Sequence, residues 1–339
     1  MRFITILRVL LFPFSVLYGV IVSVRNLLYD FGWLTATKFD LPLITVGNLS
    51  VGGTGKTPQI EYLIRLLQNN YSVAVLSRGY KRKSKGFVLG NSESTVLDLG
   101  DEPFQYHQKF HKIHVAVDGN RVEGVKQLKV LQPNTDVVLL DDAYQHRKIK
   151  AGYQILLSSY DSLFYNDFMM PTGNLRELWW GKNRANSIVI TKCPEHLSEK
   201  EQTKIIKRVR PAKHQQVYFT KIGYGANVLG FKEIALNQFI ENKLVLITGI
   251  AKPKPLVAYL ESLGATFEHL DFPDHHHFTE EELTTIKEKA KHSKIITTEK
   301  DYVRLENEIS ELYYLPIETC FLNHKSSFDQ QILNFVKGL

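Results

Sequence analysis

The chain has 339 residues, 44% of them hydrophobic, which is the composition of a globular protein long enough for two domains with full cores. Its net charge of +7 and pI near 9.1 favour an anionic partner such as a nucleotide, a nucleic acid or an acidic membrane surface, and the dispersed lysines give nucleic acid no preference. The two cysteines, Cys193 and Cys320, lie far apart, which argues against a disulfide framework or a zinc site and fits a reducing cytosol.

The first 34 residues differ from the rest of the chain, and we assign residues 1–34 to a membrane-anchoring helix. Residues 9–24 carry no charge, and arginines flank them at Arg2, Arg8 and Arg25. A spanning helix needs about 20 apolar residues, so this run is short, and a proline interrupts it. An anchor inserted shallowly among anionic headgroups therefore fits better than a spanning helix. The alternatives are a core helix, or a signal peptide without a clear cleavage site.

Residues 43–58 predict a phosphate-binding P-loop between a buried strand and a helix. The glycines let successive backbone N–H groups converge on phosphate oxygens, and the helix presents its positive end to the same anion. Lys56 would reach the β- and γ-phosphates, and the Thr57 hydroxyl would hold Mg²⁺. Ser50 replaces the first glycine of the usual pattern, and the alternative is a glycine-rich turn that ends in Gly-Lys-Thr by chance. The predicted nucleotide-binding loop contains Ser50, Val51, Gly52, Gly53, Thr54, Gly55, Lys56 and Thr57.

From residue 40 to about 210, apolar strands alternate with helical segments, which predicts an α/β fold: a P-loop NTPase-type parallel sheet with helices on both faces. The predicted strands after the P-loop helix are 72–76, 113–117, 137–140, 154–157 and 187–190, with a helix from about Asn120. A second pattern starts near residue 213, with a strand at 216–219 that links the parts or belongs to the second, and further strands at 244–248, 266–270 and 294–298.

This pattern divides the chain into three parts. After the anchor, we expect residues 35–212 to form a P-loop domain and residues 213–339 to form a smaller α/β domain. Whether the C-terminal helix packs back on the first domain stays open.

Carboxylates follow the predicted strands where ligands are expected. Asp141 and Asp142 end an apolar run in the form of a Walker B segment, which binds Mg²⁺ directly or through water. Gln145 and His146 follow at once, and here the alternative is a solvated loop. Asp101 and Glu102 lie in a loop, where a carboxylate would accept a proton from an attacking hydroxyl or would only cap a helix that begins at the next residue.

Basic and aromatic residues near these carboxylates suggest a site for a phosphorylated substrate. Tyr80 precedes a run of basic residues that forms either a lip for such a substrate or a charged surface loop. Arg121 and Arg176 each follow turn residues, where a phosphate clamp would be useful. The side chains of the three histidines at 275–277 would point in alternating directions in an extended segment, which disfavours a metal site. The remaining interpretations are a catalytic or orienting histidine and a surface loop.

Together, these motifs resemble one family, the tetraacyldisaccharide 4'-kinases, which are the lipid A 4'-kinases of Gram-negative bacteria. Ser50 also belongs to the family pattern, whereas Ala143 stands where the family usually has glycine. The matching motifs are Gly-Asn-Leu-Ser-Val-Gly-Gly-Thr-Gly-Lys-Thr-Pro (47–58), Ser-Arg-Gly-Tyr (77–80), Gly-Asp-Glu-Pro (100–103), Asp-Asp-x-x-Gln-His (141–146), Pro-x-Gly-x-Leu-Arg-Glu (171–177), Thr-Gly-Ile-Ala (248–251), Phe-x-Asp-His (272–275) and Thr-Glu-Lys-Asp (298–301).

The resemblance implies transfer of the γ-phosphate of ATP to the 4'-hydroxyl of a tetraacyldisaccharide 1-phosphate, at the cytoplasmic face of the inner membrane. ATP and Mg²⁺ are the implied cofactors. The lipid A disaccharide precursor and an anionic membrane surface are the expected partners, with no nucleic acid and no obligate protein partner. In the family an aspartate and a histidine form a catalytic dyad, which corresponds here to Asp101 and His275. Because these two residues lie in different predicted domains, domain closure would complete the site.

The expected site therefore has four groups of residues. The catalytic residues are Asp101, His275 and Lys56. Residues 50–57 bind ATP. The Mg²⁺ ligands are Thr57, Asp141, Asp142 and Glu102, and the substrate contacts are Tyr80, Arg121, Gln145, His146 and Arg176.

The alternative function is a P-loop GTPase or ATPase switch that acts as a delivery or assembly factor. Dimeric ATPases of that kind carry a lysine where this chain has Val51, and residues 191–194 lack the Asn and Asp that read guanine.

Overall fold

The computed structural model describes residues 8, 10–274 and 276–338, and its larger sheet carries the P-loop. The strands of this sheet are β1 (Leu43–Asn48), β2 (Val73–Ser77), β3 (Val88–Leu89), β4 (His114–Val117), β5 (Val137–Asp141), β6 (Tyr153–Ser159), β7 (Ser187–Thr191), β8 (Gln216–Tyr224) and β15 (Ile317–Phe321). Their order within the described residues is β15-β8-β7-β6-β1-β5-β2-β4-β3. Strand β1 pairs in parallel with β5 and β6, which brings the P-loop and the Asp141–Asp142 pair to one edge.

Helices cover both faces of the larger sheet. These helices are α2 (Lys56–Leu67), α3 (Val96–Leu99), α4 (Asp101–Lys109), α5 (Arg121–Leu131), α6 (Glu199–Val209) and the C-terminal α11 (Lys325–Lys337). On one face, Ile60 of α2 and Phe328 of α11 share a core with Ile44 of β1. On the other face, Val125 of α5 packs with Leu43. The predicted parallel sheet with helices on both faces is therefore confirmed.

A second sheet follows β8 in the chain. Its strands are β9 (Asn227–Gly230), β10 (Ile234–Ala235), β11 (Leu244–Thr248), β12 (Phe267–Asp271), β13 (Lys294–Thr298) and β14 (Leu312–Leu315). The helices of this part are α7 (Leu236–Phe239), α8 (Lys254–Ser262), α9 (Glu280–Lys289) and α10 (Glu299–Leu305). Strands β12, β11, β13 and β14 pair in parallel, and their side chains fill a core on each face. The predicted smaller α/β part is confirmed.

The predicted strands are confirmed where the local pattern is strong. Two strands, however, lie in a different sheet from the one that the predicted division of the chain implies. Strand β8, which follows the predicted domain boundary, lies in the larger sheet beside β7. Strand β15 and helix α11 also return to the larger sheet, where β15 pairs antiparallel with β8. The second sheet is therefore an insertion between two strands that pair with each other. The predicted domain limits themselves remain a prediction.

Helix α1 (Phe12–Asp30) lies beside the loop that follows β6. The Ser15 hydroxyl donates to Thr172 Oγ1 at 2.7 Å, and Asn26 Nδ2 donates to Glu177 Oε2 at 2.9 Å. These polar contacts fix one side of the helix, while most of its apolar side chains stay exposed. Among the described residues, α1 is the one helix whose length and composition suffice to cross a membrane.

Candidate active site

The P-loop connects β1 to α2 and is held by contacts on its outer side. Gly52 and Gly55 adopt φ values of +108° and +85°, which side chains other than glycine rarely accept. The Thr191 hydroxyl donates to the carbonyl oxygen of Thr54, and Lys192 Nζ donates to that of Gly53, both at 2.7 Å. The end of β7 therefore fixes the conformation of the loop through two of its carbonyl groups.

Asp142 lies at the centre of a charged cluster beside the P-loop. Lys56 Nζ is 3.8 Å from Asp142 Oδ2, and Arg176 donates to both carboxylate oxygens, at 2.9 and 3.3 Å. Burial favours protonation of Asp142, but Lys56 and Arg176 outweigh it and lower the pKa of this carboxyl. Arg176 also donates to the backbone oxygen of Asn48 at 3.0 Å, which ties the cluster to the end of β1. The structure thus brings together three of the predicted site residues.

Asp141 differs from its neighbour because it is buried with few partners. Its Oδ2 accepts from the Ser77 hydroxyl at 3.2 Å, while its Oδ1 has no hydrogen-bond partner among the described residues. Burial, and then the adjacent charge of Asp142, raise the pKa of Asp141 to about 6. A buried carboxylate oxygen without a donor is an acceptor that a cation would satisfy, so the two aspartates and nearby Thr57 fit the oxygen ligands that Mg²⁺ requires.

Two of the predicted substrate residues are engaged in organising the site. Arg121 is only 2% exposed and donates to the backbone oxygens of Asp118 and Asp141, at 2.6 and 3.2 Å. It therefore joins the carboxyl ends of β4 and β5. Gln145 Nε2 donates to the backbone oxygen of Asn48 and to Glu177 Oε1, both at 2.8 Å. Neither side chain is positioned here as an open phosphate clamp.

Of the other three predicted substrate residues, Arg176 pairs with Asp142, whereas Tyr80 is exposed and His146 is partly buried. Tyr80 is 61% exposed at the end of the loop that follows β2. His146 has a buried Nε2 without a hydrogen-bond partner among the described residues. Burial, and then the charge of Arg121, lower the pKa of His146 to about 4, so this histidine is neutral near pH 7. It would act as a hydrogen-bonding group and not as a cation.

Asp101 and Glu102 form the first turn of α4, so their prediction as loop residues ahead of the helix was wrong, and they face α10 of the second sheet. Gly100, with φ of +87°, precedes them, and a Cβ there would lie 2.7 Å from the backbone oxygen of Tyr80. Arg304 Nη2 donates to Asp101 Oδ2, and Lys300 Nζ is 3.0 Å from Glu102 Oε1. His275, the other predicted member of the dyad, lies outside the described residues, so its pairing with Asp101 stays a prediction.

The structure adds site residues that the sequence analysis did not assign. Lys192 directly follows β7, and a lysine directly after a strand of a P-loop sheet is a usable indication of a site residue. Asn48 and Arg304 have no such local indication, because their contacts join distant segments. Within the described ranges, no group of three or more His, Cys, Asp or Glu residues is arranged to hold a metal.

Comparisons with known proteins point to one family. The family model for LpxK, tetraacyldisaccharide-1-P 4'-kinase, matches residues 7–337. A tetraacyldisaccharide 4'-kinase of Flavobacterium johnsoniae is 56% identical over 335 residues, which are 98% of each chain. That of Bacteroides thetaiotaomicron is 44% identical and covers 96% of this chain and 93% of its own. A crystal structure of LpxK from Aquifex aeolicus, an "apo" form in complex with ATP, has a TM-score of 0.79 at 29% identity and covers 97% of this chain and 99% of its own.

Proposed function

This chain belongs to the tetraacyldisaccharide-1-P 4'-kinase family, and on that premise we propose which role each site residue has in lipid phosphorylation. Its activity is that of a tetraacyldisaccharide 4'-kinase, which transfers the γ-phosphate of ATP to the 4'-hydroxyl of a tetraacyldisaccharide 1-phosphate in lipid A biosynthesis. The switch-protein alternative is not favoured. The observation that carries the proposal is the approach of Lys56 of the P-loop to Asp142, at 3.8 Å, where the paired strands β1 and β5 end.

ATP would bind with its phosphates in the loop of residues 50–57. The loop amides and the N-terminal end of α2 supply partial positive charge, and Lys56 supplies a full one. The contacts from Thr191 and Lys192 support this assignment, because they hold the loop in shape independently of the phosphates. A loop that is already ordered loses less conformational entropy when ATP binds, so less of the binding free energy is spent on ordering it.

Asp141, Asp142 and Thr57 would hold Mg²⁺, and the unsatisfied Oδ1 of Asp141 supports this set. When bound, the ion would neutralise charge that develops on the β- and γ-phosphate oxygens. Glu102 is a weaker choice of ligand than the two aspartates, because Lys300 engages its carboxylate.

Asp101 would accept the proton of the attacking 4'-hydroxyl. In a loose transition state the base mainly orients the hydroxyl and takes its proton late, so a fixed carboxylate suits this role. His275 would complete the dyad. Tyr80, His146 and Arg176 would contact the phosphorylated disaccharide or the transferred phosphate.

The enzyme would work at the cytoplasmic face of the inner membrane, with α1 lying in the anionic headgroup region. Phe14 and other apolar residues of α1 are exposed, and Phe12 makes an edge contact with Phe168, at 6.4 Å between ring centroids. Trp179 and Trp180 begin a short 3-10 helix in the same connection between β6 and β7, and they are about half exposed. Tryptophan prefers the membrane interface, so this loop would extend the surface that α1 presents. The acyl chains of the substrate would then remain in the bilayer while the disaccharide enters the site.

Asp101→Asn tests the assignment of the base. Because a general base is worth about 10²- to 10⁴-fold in rate, we expect kcat for lipid phosphorylation to fall by that factor while the affinity for ATP stays near normal. Asp98→Asn is the matched control, since Asp98 caps the neighbouring helix α3 through Thr95 and has no assigned part in the reaction. Near-normal turnover by Asp101→Asn at saturating substrates would refute the assignment. Formation of ADP in equal amount to phosphorylated lipid, measured in parallel, separates the kinase from a switch ATPase.

A further inference from the structure

Helix α10 of the second sheet packs along α4 of the larger sheet. An apolar contact lies at the centre of this interface, where Val303 joins the cluster of Leu99, Phe104 and Val117. Polar pairs surround it. They are Lys300 with Glu102 at 3.0 Å, Glu306 with Gln108 at 2.7 Å, Glu299 with Lys109, and Arg304 with Asp101. The two sheets are thus joined directly beside the proposed base.

Arg304 occupies a special place in this interface because its guanidinium lies between two aspartates. Its Nη2 donates to Asp101 Oδ2, and its Nη1 donates to Asp301 Oδ1 at 3.3 Å. The Arg304 side chain is 8% exposed. A planar guanidinium with fixed donors constrains the carboxylates that it binds more than a lysine ammonium does.

Asp301 is itself held rigidly. It is fully buried, and its Oδ2 accepts from the backbone N–H of Gly249 at 2.8 Å and from the Thr298 hydroxyl at 2.7 Å. A continuous chain of hydrogen bonds therefore runs from β11 and β13 of the second sheet, through Asp301 and Arg304, to Asp101. The orientation of the Asp101 carboxylate depends on a frame that the second sheet builds.

We propose that Arg304 is a positioning residue for phosphoryl transfer, which acts by holding the Asp101 carboxylate in the orientation that receives the 4'-hydroxyl. The inference rests on the proposed function, in which Asp101 is the base. The second sheet thereby takes part in the reaction through the orientation of the base. A reacting group misplaced by about 1 Å costs on the order of 10²-fold in rate, so such a constraint has a measurable effect.

A purely structural role for Arg304 makes a different prediction. The interface between α4 and α10 retains the Lys300–Glu102 and Glu299–Lys109 pairs and the apolar contact of Val303 when Arg304 is changed. Loss of Arg304 is therefore expected to leave the two helices packed and to remove the guanidinium that constrains one oxygen of the Asp101 carboxylate. A positioning role lowers kcat only while Asp101 is present, whereas a structural role lowers activity with or without it.

The experiment is a double-mutant cycle with Arg304→Gln and Asp101→Asn, measured as kcat and KM for ATP and for the lipid. We expect Arg304→Gln to lower kcat about 10²-fold with KM for ATP unchanged within about twofold. In the Asp101→Asn background, the same substitution should change kcat by less than about twofold, since the group it positions is already lost. Arg304→Lys should recover part of the loss, because the charge remains without the fork. Glu306→Gln is the control, since it removes a neighbouring α4–α10 contact and should leave kcat near normal.

Two results would overturn the inference for Arg304 and leave the base assignment intact. The first is a normal kcat of Arg304→Gln when Asp101→Asn is strongly impaired. The second is an equal loss of kcat from Arg304→Gln in the wild-type and Asp101→Asn backgrounds. Near-normal turnover by Asp101→Asn itself refutes the base assignment and the inference with it. If Arg304→Gln fails to fold, as judged from its thermal unfolding, Arg304→Lys replaces it in the cycle. An Arg304→Lys variant with wild-type kcat then overturns the inference.

Discussion

Glu299→Gln is expected to stabilise the protein above neutral pH and to remove a pH dependence of its stability. Glu299 begins α10 and is 7% exposed, and its carboxylate shares the ammonium of Lys109 with Glu61 of the P-loop helix. Lys109 Nζ lies 2.7 Å from Glu61 Oε2. Burial, and then the charge of Glu61, raise the pKa of Glu299 to about 7, although Lys109 opposes the change. Two buried carboxylates thus share the ammonium of Lys109 at the junction of the sheets, and Arg65 also pairs with Glu61 at 2.9 Å.

The sign and size of the effect follow from proton linkage. The Glu299 carboxyl titrates near 4.5 in the unfolded chain and near 7 in the folded protein. Between these values the folded state binds more protons, so the free energy of unfolding falls as the pH rises. At about 1.4 kcal/mol per pKa unit, the rise from 4.5 to about 7 corresponds to on the order of 3 kcal/mol, present below pH 4.5 and lost above pH 7. Glutamine keeps the shape of the side chain without the charge, and Lys109 then pairs with Glu61 alone.

The assay is urea unfolding in detergent at pH 5, 6, 7 and 8, for the wild type, Glu299→Gln and a control. Glu268→Gln is the control because its pair with Lys289 is half exposed, where a surface ion pair contributes about 0 to 1 kcal/mol. We expect Glu299→Gln to match the wild type near pH 5 and to exceed it by about 2 to 3 kcal/mol at pH 8. A difference between the two proteins that does not change with pH would refute the reasoning.

Two further predictions concern the P-loop and the membrane. Lys192→Met should raise KM for ATP about tenfold and leave KM for the lipid unchanged. The reason is that a P-loop carbonyl loses a hydrogen bond from a charged donor, which is worth about 1.5 to 3 kcal/mol. An unchanged KM for ATP would contradict this prediction. Replacing Trp179 and Trp180 by serine should weaken flotation with anionic lipid vesicles about tenfold, because interfacial burial of each ring is lost. Phe231→Ser, which removes an equally exposed ring from the second sheet, is the control, and an equal loss for both proteins would argue against the proposed surface.

The fold was predictable wherever one segment carries its own pattern. The buried strand and glycine-rich turn of residues 43–58 predict the P-loop, and the structure has that strand and loop directly before α2. Strand β15 and the return of α11 could not be predicted in the same way. Pairing of β15 with β8 depends on the place of an insertion of about 90 residues, and neither strand encodes its partner in its own sequence.

The same distinction separates the predictable from the unpredictable part of the site. Lys56 and Asp142 meet because the strand ends of a parallel sheet converge at one edge, so the strands that precede them predict that they are neighbours. Arg176 is predicted only as an arginine after turn residues, and its pairing with Asp142 depends on the path of the loop that follows β6. Arg304 reaches Asp101 from 203 positions away. Its contact depends on how two sheets pack, and the spacing of residues within either segment says nothing about that packing.

The motifs of the second sheet gain a physical role from this packing. Gly249 lies in the Thr-Gly-Ile-Ala motif and Asp301 ends the Thr-Glu-Lys-Asp motif, and the N–H of the first donates to the carboxylate of the second at 2.8 Å. A Cβ on residue 249 would lie 2.8 Å from Asp301 Oδ1, so only glycine allows the backbone to approach this closely. Since Asp301 orients Arg304, and Arg304 binds Asp101, both motifs act on the proposed base through packing. Through this chain of hydrogen bonds, Gly249 and Asp301 constrain the position of the proposed base.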